Sequence, residues 1–270
     1  MQLTDGNAIR KCVVYVGYRK NGNSVIGGTG FFVTYNDALY LVTVKHNLLR
    51  AQKRGAEKLL VRFNRNYGGM DEFETEFSEW HQHPDLFTDV AVMPISDHVA
   101  RYQMDVIPYP AKNHVNARVI AEMPVTVGDE VFFPGLFSPV AGDDRNVPVV
   151  RSGNIAAMAE EKVRVTWIDD SKPLIDAYLV EARSLGGLSG SPVFVHFPWR
   201  RRYSRKPNGT RVIKLVTKAT EHCLLGLVHG HFDAPLEIDD EQKTKNVNLG
   251  MAIVVPFTIV IDVINDLLTA

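Results

Sequence analysis

The chain has 270 residues, 45% of them hydrophobic, which is enough to bury a substantial core and to build two small β-barrels. Its formal net charge of −1 singles out neither nucleic acid nor a charged membrane surface as a partner. The opening Met1-Gln2-Leu3-Thr4-Asp5-Gly6 lacks a basic segment leading into an apolar one, and no run approaches the roughly 18 apolar residues that cross a bilayer, so a soluble chain without a signal sequence is expected.

In chain order, β-type runs fall at 11–18, 30–35, 38–44, 59–63, 90–95, 130–133, 163–168, 179–182, 193–196, 212–217, 224–229 and 248–254. Many short strands punctuated by Gly, Pro, Asn and Asp predict an all-β barrel or sandwich rather than βαβ units. The stretch from Met104 to Met123, with Pro108 and Pro110 and no clear period, has the character of a connector. Asn208-Gly209 is a hairpin turn signal inside a basic stretch. After Pro256, the apolar residues Ile259, Val260, Val263, Ile264, Leu267 and Leu268 recur at spacings of three and four, which predicts an amphipathic C-terminal helix. Cys12 and Cys223 stand at opposite ends of the chain on predicted strands; two buried apolar thiols are expected, with a single bridge as the alternative.

Three of these elements carry chemistry. Gly187-Leu188-Ser189-Gly190-Ser191-Pro192 is a glycine-flanked turn that lifts one serine out of the backbone. Upstream, Leu41-Val42-Thr43-Val44-Lys45-His46 delivers a histidine at the end of an apolar strand, and Asp89 opens the strand Val90-Ala91-Val92-Met93. A serine hydroxyl is a weak nucleophile until an imidazole takes its proton, and that imidazole needs a carboxylate to hold its tautomer and stabilise its charge. Ser189 is therefore the expected nucleophile, His46 the base and Asp89 the orienting carboxylate, with Asp85 a rival for the last role. Ser191 is a poorer nucleophile because Pro192 follows it directly. The amides of Gly187 and Ser189 would form an oxyanion hole, since glycine at 187 frees the backbone to turn its N–H toward developing charge.

The order His, Asp, Ser with these flanking strands resembles the trypsin/chymotrypsin superfamily of serine peptidases, and within it the Deg-type (high-temperature-requirement) branch. Gly28-Thr29-Gly30-Phe31-Phe32-Val33 is similar to that family's early Gly-x-Gly-hydrophobic strand, and Val127-Gly128-Asp129-Glu130-Val131 to the start of its second barrel. Ser152-Gly153-Asn154-Ile155 and Leu249-Gly250-Met251-Ala252-Ile253 are similar to two later strands. The resemblance implies two chymotrypsin-like antiparallel barrels with a C-terminal helix, 1–110 carrying His46 and Asp89, and 111–270 carrying Ser189. It also implies a substrate channel walled by His229, Gly230 and His231 after the strand Leu225-Gly226-Leu227-Val228, and a first specificity pocket with Arg183 at its base or wall. Arginine and histidine there would favour an acidic or amide side chain before the cut, unless Arg183 turns to solvent or plugs the pocket. Leu188 stands where the digestive branch has an aspartate that pairs with a freshly cut amine, so no such zymogen step is expected, and control by ordering of the loops near Gly135 to Arg151 is the alternative.

The pairs His81/His83 and His229/His231 would each put two imidazoles on one face of a strand, but no Cys or carboxylate completes either set at familiar zinc spacing, so neither metal nor cofactor is expected. The basic stretch 199–211 reads as a solvated hairpin in preference to a surface for nucleic acid or an acidic partner. The expected function is cleavage of protein or peptide substrates by acyl transfer, in the cytoplasm given the few cysteines and the opening sequence. Alternatives are a catalytically silent member of the fold used as a binding module, and an interaction protein built around the basic hairpin.

Overall fold

The computed structural model describes residues 6–116, 119–120, 125–182, 187–197, 200–205, 211–216, 222–238 and 243–269. The first half is an eight-stranded sheet: β1 (Val13–Lys20), β2 (Asn23–Tyr35), β3 (Ala38–Thr43), β4 (Lys58–Asn64), β5 (Met70–Glu76), β6 (His81–Gln82), β7 (Ala91–Pro94) and β8 (Tyr109–Pro110). Its order is β5-β4-β1-β2-β3-β7-β6, with β8 added in parallel beside β2. Asn21-Gly22 and Asn36-Asp37 make the two-residue turns on either side of β2, all four residues at positive φ, the conformation that matches the twist of a hairpin. Val14, Val16, Phe32, Leu41, Leu59, Val61, Phe63, Ala91 and Met93 come from five of these strands into one core, so one face of the sheet closes on itself.

The second half is a closed barrel of β9 (Glu130–Gly135), β10 (Val149–Ala157), β13 (Tyr178–Glu181), β14 (Pro192–His196), β17 (His222–Ile238) and β18 (Lys243–Pro256), in the order β10-β13-β18-β17-β14-β9. Side chains alternate across a strand, and here each face has its own task. Val193, Val195, Leu225, Ala252 and Val254 fill the barrel. Their neighbours Phe194, Leu224, Ile253 and Val255 turn outward onto Phe31 and Val33 of the first half and onto the C-terminal helix. That helix spans Phe257–Thr269, and it buries Phe257, Val260, Val263 and Ile264, four residues on one stripe.

Two small hairpins stand off the barrel, β11 (Val163–Arg164) with β12 (Leu174–Ile175), and β15 (Arg200–Arg205) with β16 (Arg211–Val216). Within the basic stretch, Arg200–Arg205 pairs as a strand with Arg211–Val216, while 199 and 206–210, with the expected Asn208-Gly209 turn, lie outside the described residues. The strand expected at 163–168 ends after Arg164, because from there the chain bonds its hairpin partner irregularly, Val165 N–H to the Pro173 carbonyl and Trp167 N–H to that of Ser171. The connector from Met104 is tied down where it is described. Tyr109 pairs beside Val33, its hydroxyl donates to the His222 carbonyl at 2.9 Å, and Val115 N–H bonds the Leu224 carbonyl at 2.8 Å. Cys12 and Cys223 are both buried thiols outside any disulfide. No helix among the described residues is long and apolar enough to cross a membrane.

Candidate active site

His46 sits in the first turn of a helix, Lys45–Lys53, which starts where β3 ends; the apolar run extends one residue past the strand before the chain turns. The first amides of a helix have no partner within it. Asp89 supplies one: its Oδ1 accepts the His46 N–H at 2.8 Å, and its Oδ2 faces His46 Nδ1 at 2.6 Å. A single carboxylate thus caps the helix and orients the ring that the helix carries, and the positive end of the helix dipole favours its negative charge. Lys45, also buried, fixes the loop before Asp89 by donating to the carbonyls of His83 at 2.8 Å and Asp85 at 2.7 Å. Asp85 is spent within its own loop, accepting from Phe87 N–H and from the Thr88 hydroxyl.

Ser189 lies in the turn expected for it, and the Gly28-Thr29-Gly30 motif holds that turn in place. Thr29 N–H donates to the Ser189 carbonyl at 2.9 Å, and the Thr29 hydroxyl donates to the Gly187 carbonyl at 2.8 Å while accepting the Leu136 N–H. Asn47, next to His46, donates to the Ser189 carbonyl at 3.3 Å. Gly187 and Gly190 have φ of 99° and 89°, and a Cβ at 190 would collide with the Thr29 carbonyl, so the turn requires glycine on both counts. The N–H groups of Gly187 and Ser189 bond no other described residue. Ser191 is fully buried, with its N–H on the Leu188 carbonyl.

The Ser189 hydroxyl donates to the His229 carbonyl at 3.2 Å, and His46 Nε2 is buried with no hydrogen-bond partner. The expected serine–histidine bond is therefore not formed, although both residues line one cavity of about 510 Å³ together with Arg50, Trp167, His229 and His231. Gly230 lines it too, and Arg183 lies outside the described residues.

His229 takes an unexpected direction. A bulge in the β17–β18 ladder at this residue turns its ring inward, where Nδ1 meets Asp89 Oδ2 at 2.5 Å, while His231 pairs with Asp233 at 3.2 Å on the cavity wall. Trp167 stacks on the His229 ring, 6° from parallel at 5.9 Å. Nothing in the sequence marked Trp167, and no strand alternation foretells a bulge.

The electrostatics follow from burial. Burial alone would raise the Asp89 carboxyl, but the charges and hydrogen bonds of His46 and His229 outweigh it and hold the group below the usual carboxylate range. His46 is pushed below the ordinary histidine value by burial, against the opposing pull of Asp89. The result is an ionised carboxylate beside a neutral imidazole at neutral pH. Among the described residues, His46, Asp89 and His229 are the one set of three metal-ligand side chains with donor atoms within 4.8 Å of one another. Both nitrogens stand at hydrogen-bond distance from a single oxygen, whereas ligands around a tetrahedral zinc with bonds of about 2 Å lie roughly 3.3 Å apart, so a metal would have to push both rings away.

No protein-family model matches the chain, and no curated protein sequence matches it. Solved structures do match. The crystal structure of Deg5 is similar to this chain with a TM-score of 0.53 at 15% identity, covering 95% of this chain and 88% of that one. The active form of the Rv3671c protease from M. tuberculosis gives 0.50 at 18% identity, covering 95% and 80%. At these identities the likeness is one of fold. The chain has the all-β, two-barrel architecture of chymotrypsin-like peptidases, with a C-terminal helix.

Proposed function

We propose that the chain is a serine endopeptidase that cleaves protein or peptide substrates through Ser189, His46 and Asp89. The observation that carries this reading is the buried His46–Asp89 pair opening, with Ser189, onto one cavity at the seam of the two halves. A substrate strand laid along His229 to His231 would bring a main-chain N–H to the His229 carbonyl and release the Ser189 hydroxyl toward His46 Nε2. Ser189 Oγ then bonds the scissile carbonyl carbon as its proton passes to His46 Nε2, and the oxyanion is met by the free amides of Gly187 and Ser189. The intermediate collapses by breaking the C–N bond, the proton going from His46 to the leaving amine. Water, deprotonated by His46 in its turn, hydrolyses the acyl-enzyme. Side-chain preference belongs to His231, Gly230 and Arg183; the His229 ring is committed to Asp89.

The second reading is a silent fold used for binding, and the Ser189 hydroxyl parked on a carbonyl favours it. A fluorophosphonate probe separates the two. Labelling of wild type at Ser189, lost in Ser189→Ala and reduced by orders of magnitude in His46→Ala, is expected of the peptidase. A folded wild-type protein that stays unlabelled and cleaves no member of a peptide library would overturn it.

A further inference from the structure

We infer that His229 is a positioning residue for this reaction, fixing the Asp89 carboxylate and, through it, the ring of His46; the inference rests on the peptidase reading above. A carboxylate offers about four lone-pair sites on two oxygens. Three are taken here: Oδ1 by the His46 amide, and Oδ2 by His46 Nδ1 and His229 Nδ1 together. The two rings meet edge to face, 87° apart at 5.5 Å, so their N–H bonds approach the shared oxygen from different directions and the carboxylate cannot swing. Donation from both Nδ1 atoms leaves the His46 lone pair on Nε2, the atom that must take the serine proton.

His229 is itself held. The bulge in β17 points it inward, Trp167 covers its face, and Phe87 meets Trp167 edge-on at 5.9 Å. The charged and titratable groups around the carboxylate are His46, Lys45 and Arg50 from the helix and His229 from β17, with His231 and Asp233 further along that strand. One carboxylate therefore serves two imidazoles, and positive charge on His229 opposes positive charge on His46. A ring present only for packing would have no such effect on His46.

Two variants separate these roles. His229→Asn keeps an N–H donor near the position of Nδ1 but cannot carry charge; His229→Leu keeps bulk and loses both. His46 is followed by imidazole ¹⁵N NMR over a pH series, which needs no turnover, alongside kcat and KM on a cleaved peptide. His229→Leu should lower kcat roughly tenfold to a hundredfold with little change in KM, and His229→Asn should recover most of it. In both, the His46 titration should move to higher pH, because the competing imidazole is gone. A His46 titration in the Asn variant that overlays wild type, or wild-type kcat in a folded Leu variant, would overturn the inference. If wild type cleaves nothing while the His46 titration still shifts with His229, the peptidase reading falls and the coupling of the two rings through Asp89 stands.

Discussion

Asp89 accepts three N–H bonds while fully buried, and this makes its replacement by asparagine a sharp test. An amide has one accepting oxygen and one donating nitrogen, so whichever end faces the imidazoles, at least one N–H donor of the present set loses its acceptor. With the amide nitrogen toward the imidazoles, the His46 ring is driven to carry its proton on Nε2, where it cannot act as a base; with the oxygen toward them, the buried His46 N–H loses its acceptor. Asp89→Asn should reduce turnover by roughly 10⁴ and destabilise the fold by about 1–3 kcal/mol, read from urea unfolding at neutral pH; unchanged turnover would remove Asp89 from the site. Much of this residue scale was legible in sequence. Ser189, His46 and Asp89 stood out because turn chemistry and strand ends are local signals. The ring of His229 and the whole of Trp167 did not, because each owes its position to contacts between distant segments: a bulge in one ladder and a hairpin folded over from elsewhere.

Strands with a clean apolar run were equally legible, and the exceptions have physical reasons. The strand β5, Met70-Asp71-Glu72-Phe73-Glu74-Thr75-Glu76, is too acidic to announce itself and exists as the edge partner of β4. The helix that bears His46 hides behind an apolar strand and has no side-chain N-cap of its own, Asp89 doing that work from 43 residues away. The C-terminal helix followed from its spacing alone, and its inward stripe predicts a graded response. Phe257 is fully buried and its ring lies 6.3 Å from that of Phe31, whereas Leu268 is 55% exposed. Phe257→Ala should cost about 3–5 kcal/mol, and Leu268→Ala should stay within about 0.5 kcal/mol of wild type. Equal losses in chemical denaturation would mean that the helix does not pack as described.

At the scale of the molecule, the two halves meet through polar bonds that the site depends on. Thr29 of the first half ties the Ser189 turn of the second, and Asn64 and Asn146 exchange hydrogen bonds across the same seam, Asn146 N–H to Asn64 Oδ1 at 2.7 Å and Asn64 Nδ2 to the Asn146 carbonyl at 3.1 Å. His46 and Asp89 lie buried beside this seam, so their protonation should bear on the stability of the whole fold. Both have folded pKa values below their unfolded ones, about 6.5 for histidine and about 3.9 for aspartate. For each, the unfolded chain binds the extra proton first, so stability rises with pH through the window between the two values. The contribution of His46 is complete above about pH 6.5 and is lost as pH falls toward its folded value; that of Asp89 is complete above about pH 4 and is lost further down. The expected result is a thermal midpoint that falls in two stages on acidification, the first beginning as pH drops through the histidine range. His46→Gln should flatten the first stage and also shrink the second, because His46 is the strongest of the groups that hold the Asp89 carboxyl down. Peptidase activity should persist through the ordinary histidine range and fade only as pH falls through the lowered value of the buried His46 ring, since only the neutral imidazole can accept the serine proton. A thermal midpoint level from pH 7 to 5, or one that rises on acidification, would contradict the burial of a neutral His46 against an ionised Asp89.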